Sequence, residues 1–205
     1  MNSFLFSYPV WLLDKVYFRF EFFISKILSS CSRDAINKVY LEASLGNITS
    51  LELWDMLEVS DKDNYSKIEK LYLDTYLTLD EQFVEVAKRL RNDYNLAILS
   101  NDVSEWGSYL REKHGINDFV DVSIISGDVG CRKPSSDIYK IALERLGAES
   151  HDCIFIDDRD KNLVPAKEMG MQVIRFLRDD SDCKLEGVKT INSFMELEER
   201  INAIT

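Results

Sequence analysis

The stretch Cys153-Ile154-Phe155-Ile156-Asp157-Asp158-Arg159-Asp160-Lys161-Asn162 constrains the fold more than any other part of this chain. A short apolar run that breaks directly into carboxylates reads as a buried parallel strand entering a polar loop. Ligands of open α/β sheets sit at that end of the strand. Two adjacent carboxylates there repel each other unless a cation holds them, so the pair is a candidate site for an oxygen-ligated ion such as Mg²⁺. The plainer reading is a helix start, with Asp158 or Asp160 facing the following helix dipole.

The same strand-to-helix alternation recurs through the second half of the chain. Strands are predicted over Leu96–Leu99, Val120–Ile125, Cys153–Ile156 and Gln172–Phe176. Helices are predicted over Phe83–Arg91, Ser104–Lys113, Asp137–Leu146, Asn162–Met169 and Ser193–Ile204. Repeated β–α units at this spacing imply a doubly wound parallel sheet with helices on both faces. The first part reads differently. Helical stripes run from Pro9 to Leu28, from Ser32 to Gly46, from Thr49 or Ser50 through Leu57, and from Asn64 to Tyr76, with no strand between them. The expected organisation is a helical unit over 10–78, and an α/β core made of 1–9 and 79–205.

Composition narrows the function. With 36 acidic against 25 basic residues and a net charge of −11, the chain lacks the clustered Lys and Arg that hold a nucleic-acid backbone. The apolar N-terminal run from Phe4 to Phe23 is interrupted by Pro9, Asp14, Lys15, Arg19 and Glu21, which argues against a membrane span or a signal peptide. Four widely spaced cysteines, Cys31, Cys131, Cys153 and Cys183, read as free thiols of a reducing cytoplasm. Small molecules and protein partners remain.

Three strand ends carry polar side chains: Ser100-Asn101-Asp102, the loop from Gly127 to Pro134 with Lys133, and Asp157-Asp158. A parallel sheet brings these ends to one edge. A hydroxyl, N–H groups, an ammonium and two carboxylates together suit a phosphoryl group with Mg²⁺. Taken singly, Ser100 reads as a helix cap and Lys133 as a solvated lysine.

In order and spacing, three runs resemble the second, third and fourth motifs of the haloacid dehalogenase-like (HAD) hydrolase superfamily. They are Leu96-Ala-Ile-Leu-Ser-Asn101, Ser126-Gly-Asp-Val-Gly-Cys-Arg-Lys-Pro134 and Ile154-Phe-Ile-Asp-Asp-Arg159 with Asn162. The run Tyr40 to Thr49 resembles the helical cap that some members insert after the first strand. The resemblance implies a Mg²⁺-dependent phosphatase of a small phosphorylated metabolite. In it Ser100 and Asn101 bind the phosphoryl group, Lys133 stabilises nucleophile and transition state, and Asp157 and Asp158 hold the metal. It also implies a central first strand ending in an Asp-x-Asp motif, whose first Asp is the nucleophile.

No such motif is present. The family's spacing places the nucleophile just before Met1, so the chain is expected to begin just after its catalytic strand, truncated past the nucleophilic Asp, with the central strand missing or replaced and the chain inactive as it stands. A catalytically dead binding or interaction protein is the alternative, and Asp14 on a substitute strand is a third reading. A sheet without its middle strand exposes two unpaired edges. The slot must then be filled by Ser3–Phe6, filled by another copy in a homo-oligomer, or left as a weakness of the fold.

Overall fold

The computed structural model describes residues 3–8, 20, 23–24, 26, 32–59, 64–177 and 185–202. Its centre is a six-stranded parallel sheet of order β3-β2-β1-β4-β5-β6. The strands are β1 (Ser3–Tyr8), β2 (Asn95–Ser100), β3 (Val122–Ile125), β4 (Cys153–Asp157), β5 (Gln172–Phe176) and β6 (Lys189–Ile191).

The expected gap in the middle of the sheet is not there. Strand β1 pairs with β2 from Ser3↔Asn95 through Tyr8↔Ser100, and with β4 from Ser3↔Cys153 through Phe6↔Ile156. The six residues Ser-Phe-Leu-Phe-Ser-Tyr suffice because a strand with sheet on both sides needs apolar and aromatic side chains and no polar face. Phe4 and Leu5 are fully buried on opposite faces. The placement expected from the family's spacing, just before Met1, is therefore corrected by register: the ligand-facing end of the central strand is at Ser7 and Tyr8, level with Leu99 and Ser100.

Between β1 and β2 the described residues form helices. Three of them are α1 (Arg33–Ser44), α2 (Ser50–Met56) and α3 (Tyr65–Tyr76), and α4 (Glu81–Leu90) leads into β2. Their starts follow local chemistry. The Ser32 side chain accepts from Ala35 N at 3.2 Å, and Thr49 and Glu52 close a capping box at the head of α2. The expected helix over Pro9–Leu28 lies largely outside the described residues; Phe20, Phe23 and Ile24 are helical and buried.

The crossovers that follow are α5 (Ser104–Lys113), the short α6 (Ser126–Val129), α7 (Ser136–Leu146) and α8 (Asp160–Glu168), and α9 (Met195–Asn202) closes the chain's described part. Two cores result. One face of the sheet packs Leu5, Ala97, Leu99 and Phe155 against Ile138, Tyr139 and Ala142 of α7 and Leu163 and Ala166 of α8. The other packs Phe4, Leu96, Ile98 and Ile154 against α4, α5 and α9, and continues into the helices that precede β2.

An aromatic cluster ties those helices to the core. Phe20 contacts Tyr40, Trp54, Tyr72 and Trp106 at centroid distances of 5.2 to 5.8 Å. The two indoles would each strand a buried N–H, and one carboxylate satisfies both: Glu69 Oε2 accepts from Trp54 Nε1 at 2.8 Å and from Trp106 Nε1 at 2.7 Å. Sequence reading also missed β6, a three-residue strand too short to show a pattern.

Candidate active site

The site stands at the carboxyl edge of β2, β1 and β4, where the strand ends just described converge. Lys133 lies in the loop after α6, and its side chain is buried. Its ammonium donates to Leu99 O at 2.8 Å and to Asp157 Oδ2 at 3.1 Å, which bridges β2 and β4 over the end of β1. Burial pulls this ammonium below the ordinary lysine range, and Asp157 opposes that pull. Lys133 is thus a buried, paired cation and not the solvated lysine that its lone position in the sequence allows.

The loop reaches this place because Asn101 holds it. Asn101 Nδ2 donates to Lys133 O at 2.9 Å and Asn101 Oδ1 accepts from Lys133 N at 2.8 Å, a two-point clamp on the backbone of one residue. Tyr40 of α1 donates its hydroxyl to Asn101 O at 3.2 Å, so the helical segment also touches this strand end. Asn101 was expected as an anion ligand; its amide is spent on positioning Lys133. Ser100 is buried at the same edge.

Asp157 and Asp158 divide their work. Asp157 takes hydrogen bonds from Lys133 Nζ, from Arg159 N at 2.8 Å and from Asn162 Nδ2 at 3.0 and 3.1 Å. Asp158 is left with fewer obligations. Its carboxyl is pushed up to about 6, first by burial and then by the adjacent Asp157. The helix-start reading holds in part: Asp160 stands in the first turn of α8, while Arg159 occupies the N-cap without a side-chain cap bond. Asp160 also accepts from Arg175 Nε at 2.7 Å and from Leu185 N at 2.9 Å, fastening β5 and the segment after it.

Asn162 Oδ1 is buried with no hydrogen-bond partner. With Asp157 and Asp158 it forms a set of oxygen donors of the kind a small hard cation takes. Most of Asp157's capacity is already committed, and the described residues contain no group of three or more His, Cys, Asp or Glu placed to hold a metal. The donors fit Mg²⁺ in kind, and they are few.

Sequence reasoning placed Asp102 at a strand end but gave it no role. It is buried where β2 meets α5, and its carboxyl is raised to about 7, chiefly by desolvation and also by Asp128, against the Val103 N–H, Arg132 and Arg111. Its backbone is locked as well, since Asp102 N donates to Ser126 Oγ at 3.0 Å and Ser126 Oγ donates to Ser44 O at 2.5 Å. A carboxyl raised in the native state favours the protonated fold, so its ionisation subtracts from stability as pH rises from the unfolded value near ~4 toward 7. Urea unfolding of wild type and Asp102→Asn across pH 4 to 8 should show equal stabilities at the acid end and a more stable variant at the alkaline end. A constant difference over that range would show that Asp102 does not titrate there.

A cavity of about 170 Å³ opens nearby, with Gly46, Thr49, Glu52, Ser104, Glu105 and Gly127 among its lining residues. Its two glutamates make it a poor seat for an anion, and neither Lys133 nor Asp157 lines it.

A doubly wound α/β protein with a buried Lys–Asp pair bridging strand ends across its central strand is the class that this fold and site define. Residues 32–170 match the family model described as haloacid dehalogenase-like hydrolase. The chain belongs to the haloacid dehalogenase-like hydrolases.

Its relatives agree in kind. It is 34% identical over 99 residues to the glyceraldehyde 3-phosphate phosphatase of Methanocaldococcus jannaschii, covering 46% of this chain and 42% of that protein. It is 35% identical over 79 residues to flavin mononucleotide hydrolase 1 of Arabidopsis thaliana, covering 38% and 32%. These matches span less than half the length of either relative.

Among solved structures, a HAD family enzyme of Bacteroides thetaiotaomicron, crystallised with magnesium and inorganic phosphate, superposes with a TM-score of 0.74 at 19% identity, over 88% of this chain and 98% of the other. A 2-haloacid dehalogenase from Pseudomonas syringae pv. Tomato superposes with a TM-score of 0.71 at 14% identity over all of both chains. At such identities the likeness is one of fold. No helix among the described residues is long and apolar enough to cross a membrane.

Proposed function

We propose that this chain is a HAD-like hydrolase of the phosphatase type that binds a small phosphorylated metabolite at the carboxyl edge of its sheet and, with the sequence it has here, does not hydrolyse it. One observation carries the reading: the central strand β1 is Ser3–Tyr8, and its site-facing end supplies no carboxylate beside Ser100 and the Lys133–Asp157 pair. Residues that orient and neutralise a phosphoryl group are then retained without a carboxylate to attack it.

A serine at position 7 would need a general base. Neither histidine of the chain serves: His114 follows the C-terminal end of α5, and His151 precedes β4 at the opposite edge of the sheet. In this reading residues 10–78 are the cap over a core of 1–9 and 79–205, Ser100 and nearby N–H groups hold phosphoryl oxygens, and Lys133 supplies charge. Mg²⁺, where bound, would be held by Asp158 with Asn162 and Asp157, and would neutralise charge on the bound phosphoryl group.

The full chain with a generic aryl phosphate and Mg²⁺ should stay at the uncatalysed rate, and Ser7→Asp should raise turnover above it. Asp14 lies outside the described residues. Wild-type turnover that disappears in Asp14→Asn would overturn the reading and make Asp14 the nucleophile.

A further inference from the structure

We propose that Tyr40 is a positioning residue for the strand-end pocket: from α1 it fixes the backbone of Lys133 through Asn101, so that the seat of the helical segment on the sheet is part of the pocket. The role rests on the phosphoryl reading for what the pocket holds. It rests on contacts within the chain for how Lys133 is placed.

Tyr40 is buried in α1, and its hydroxyl donates to Asn101 O at 3.2 Å. Asn101 in turn holds both backbone groups of Lys133, with Nδ2 on its carbonyl at 2.9 Å and Oδ1 on its N–H at 2.8 Å. The lysine side chain then reaches Leu99 O at 2.8 Å and Asp157 Oδ2 at 3.1 Å. The ring of Tyr40 adds a second hold on the same loop. The guanidinium of Arg132, the residue before Lys133, lies 5.5 Å over it, within the range of a cation–π contact. One side chain of the helical segment thus bears on the end of β2 and on the loop that carries the lysine.

A second point fastens α1 to the same edge. Ser44 lies one turn beyond Tyr40 on the same face of the helix and is also buried. Its carbonyl accepts from Ser126 Oγ at 2.5 Å, and Ser126 Oγ accepts from Asp102 N at 3.0 Å. Tyr40 and Ser44 therefore seat α1 against Asn101 and Asp102, the two residues that follow Ser100. The Tyr40 hydroxyl is a lasting donor, because burial, reinforced by Asp102, holds its ionisation above the ordinary tyrosine range. Without that hydroxyl the Asn101 carbonyl loses a donor and the strand end loosens. Lys133 then spends part of its time out of place, and the apparent affinity for an anion falls by the fraction of chains so displaced.

Calorimetric titration of the full chain with orthophosphate, at a fixed Mg²⁺ concentration, reads this coupling. Tyr40→Phe keeps the ring and should weaken binding about three- to tenfold, the scale of one net hydrogen bond. Asn101→Ala keeps the carbonyl that Tyr40 bonds but removes the clamp on Lys133. In that background Tyr40→Phe should change affinity by less than about twofold, since the two act in series. Ile36→Ala, a buried truncation on the same helix, should lower the urea midpoint at least as far as Tyr40→Phe and leave orthophosphate affinity within about twofold. Hydrogen exchange adds a readout that needs no ligand. Tyr40→Phe should speed exchange of the Lys133 N–H by more than it speeds that of Ala97 in β2, and Ile36→Ala should not.

Wild-type affinity in Tyr40→Phe would overturn the proposal. So would an equal loss in Ile36→Ala, which would make the effect one of general stability, or the full Tyr40→Phe loss persisting in Asn101→Ala, which would break the route through the clamp. If wild type binds no orthophosphate, the phosphoryl reading falls by itself. The placement of Lys133 by Tyr40 then stands if the selective exchange at Lys133 is seen, and falls if it is absent.

Discussion

Replacing Lys133 by methionine is expected to destabilise the protein by about 3–5 kcal/mol, the usual cost of removing one partner of a buried ion pair. The side chains of Lys133 and Asp157 are 2% and 0% exposed, so water cannot stand in for the lost ammonium. Methionine matches the lysine stem in length, which keeps the cavity term small. What remains is a buried Asp157 carboxylate that keeps Asn162 Nδ2 and Arg159 N but has lost its ammonium partner, and a Leu99 carbonyl that has lost its Nζ donor. Adding Asp157→Asn removes the orphaned charge, so the double variant should recover a large part of the loss. Urea unfolding of the two single variants and the double closes the cycle. A loss below about 1 kcal/mol in Lys133→Met would mean the pair is solvated and the lysine is a surface residue.

Much of this site was legible because strand ends in a parallel sheet are announced by composition. Ile154-Phe-Ile-Asp-Asp could be placed at the edge from its own pattern, and Ser100 and Lys133 followed once the strands were counted. The middle of the sheet was misjudged for a physical reason. Phe4-Leu5-Phe6 has the aromatic, fully apolar character of a strand buried on both faces, but such a run has no alternation to distinguish it from a helix start. Ser3–Phe6 was therefore one of three ways to fill the slot and not the expected strand. Register recovered it, since only pairing partners on both sides reveal that Ser3–Tyr8 is the central strand.

The supporting residues were less visible, because their roles depend on contacts far apart in the chain. Nothing in the sequence says that Asn101 clamps the Lys133 peptide, that Tyr40 reaches it from α1 across 61 positions, or that Glu69 serves two indoles at once. Asp160 carried a helix-start signal and does stand in the first turn of α8, but its bonds to Arg175 and Leu185 N were not foreseeable. Local propensity finds the elements. The side chains that hold one strand end against another are chosen by tertiary packing, and no spacing rule encodes that choice.

Gly46→Ala and Gly147→Ala should separate two costs that glycine substitutions usually mix. Both positions have positive φ, 73° at Gly46 and 61° at Gly147. An alanine in that region costs roughly 1–2 kcal/mol by backbone sterics alone. At Gly147, the C-cap of α7, a new Cβ meets nothing within 4 Å, so the loss should stop there. At Gly46, just past α1, the new Cβ would stand 2.3 Å from Gly127 O, and no rotamer can relieve an overlap with backbone. Gly127 cannot retreat either, because its own Cα side lies against Ser104 N and Asp102 O. The total at Gly46 should therefore reach about 3–4 kcal/mol, backbone strain plus an overpacking cost. That seam also fixes Asp102, two residues beyond Ser100, through Gly127 N, which donates to Asp102 O at 3.1 Å. Gly46→Ala should accordingly weaken orthophosphate binding as well as lower the urea midpoint, whereas Gly147→Ala should change the midpoint alone. Equal losses in the two variants would show that the turn after α1 yields freely against the loop after β3, and that the joint between the helical segment and the sheet is not rigid.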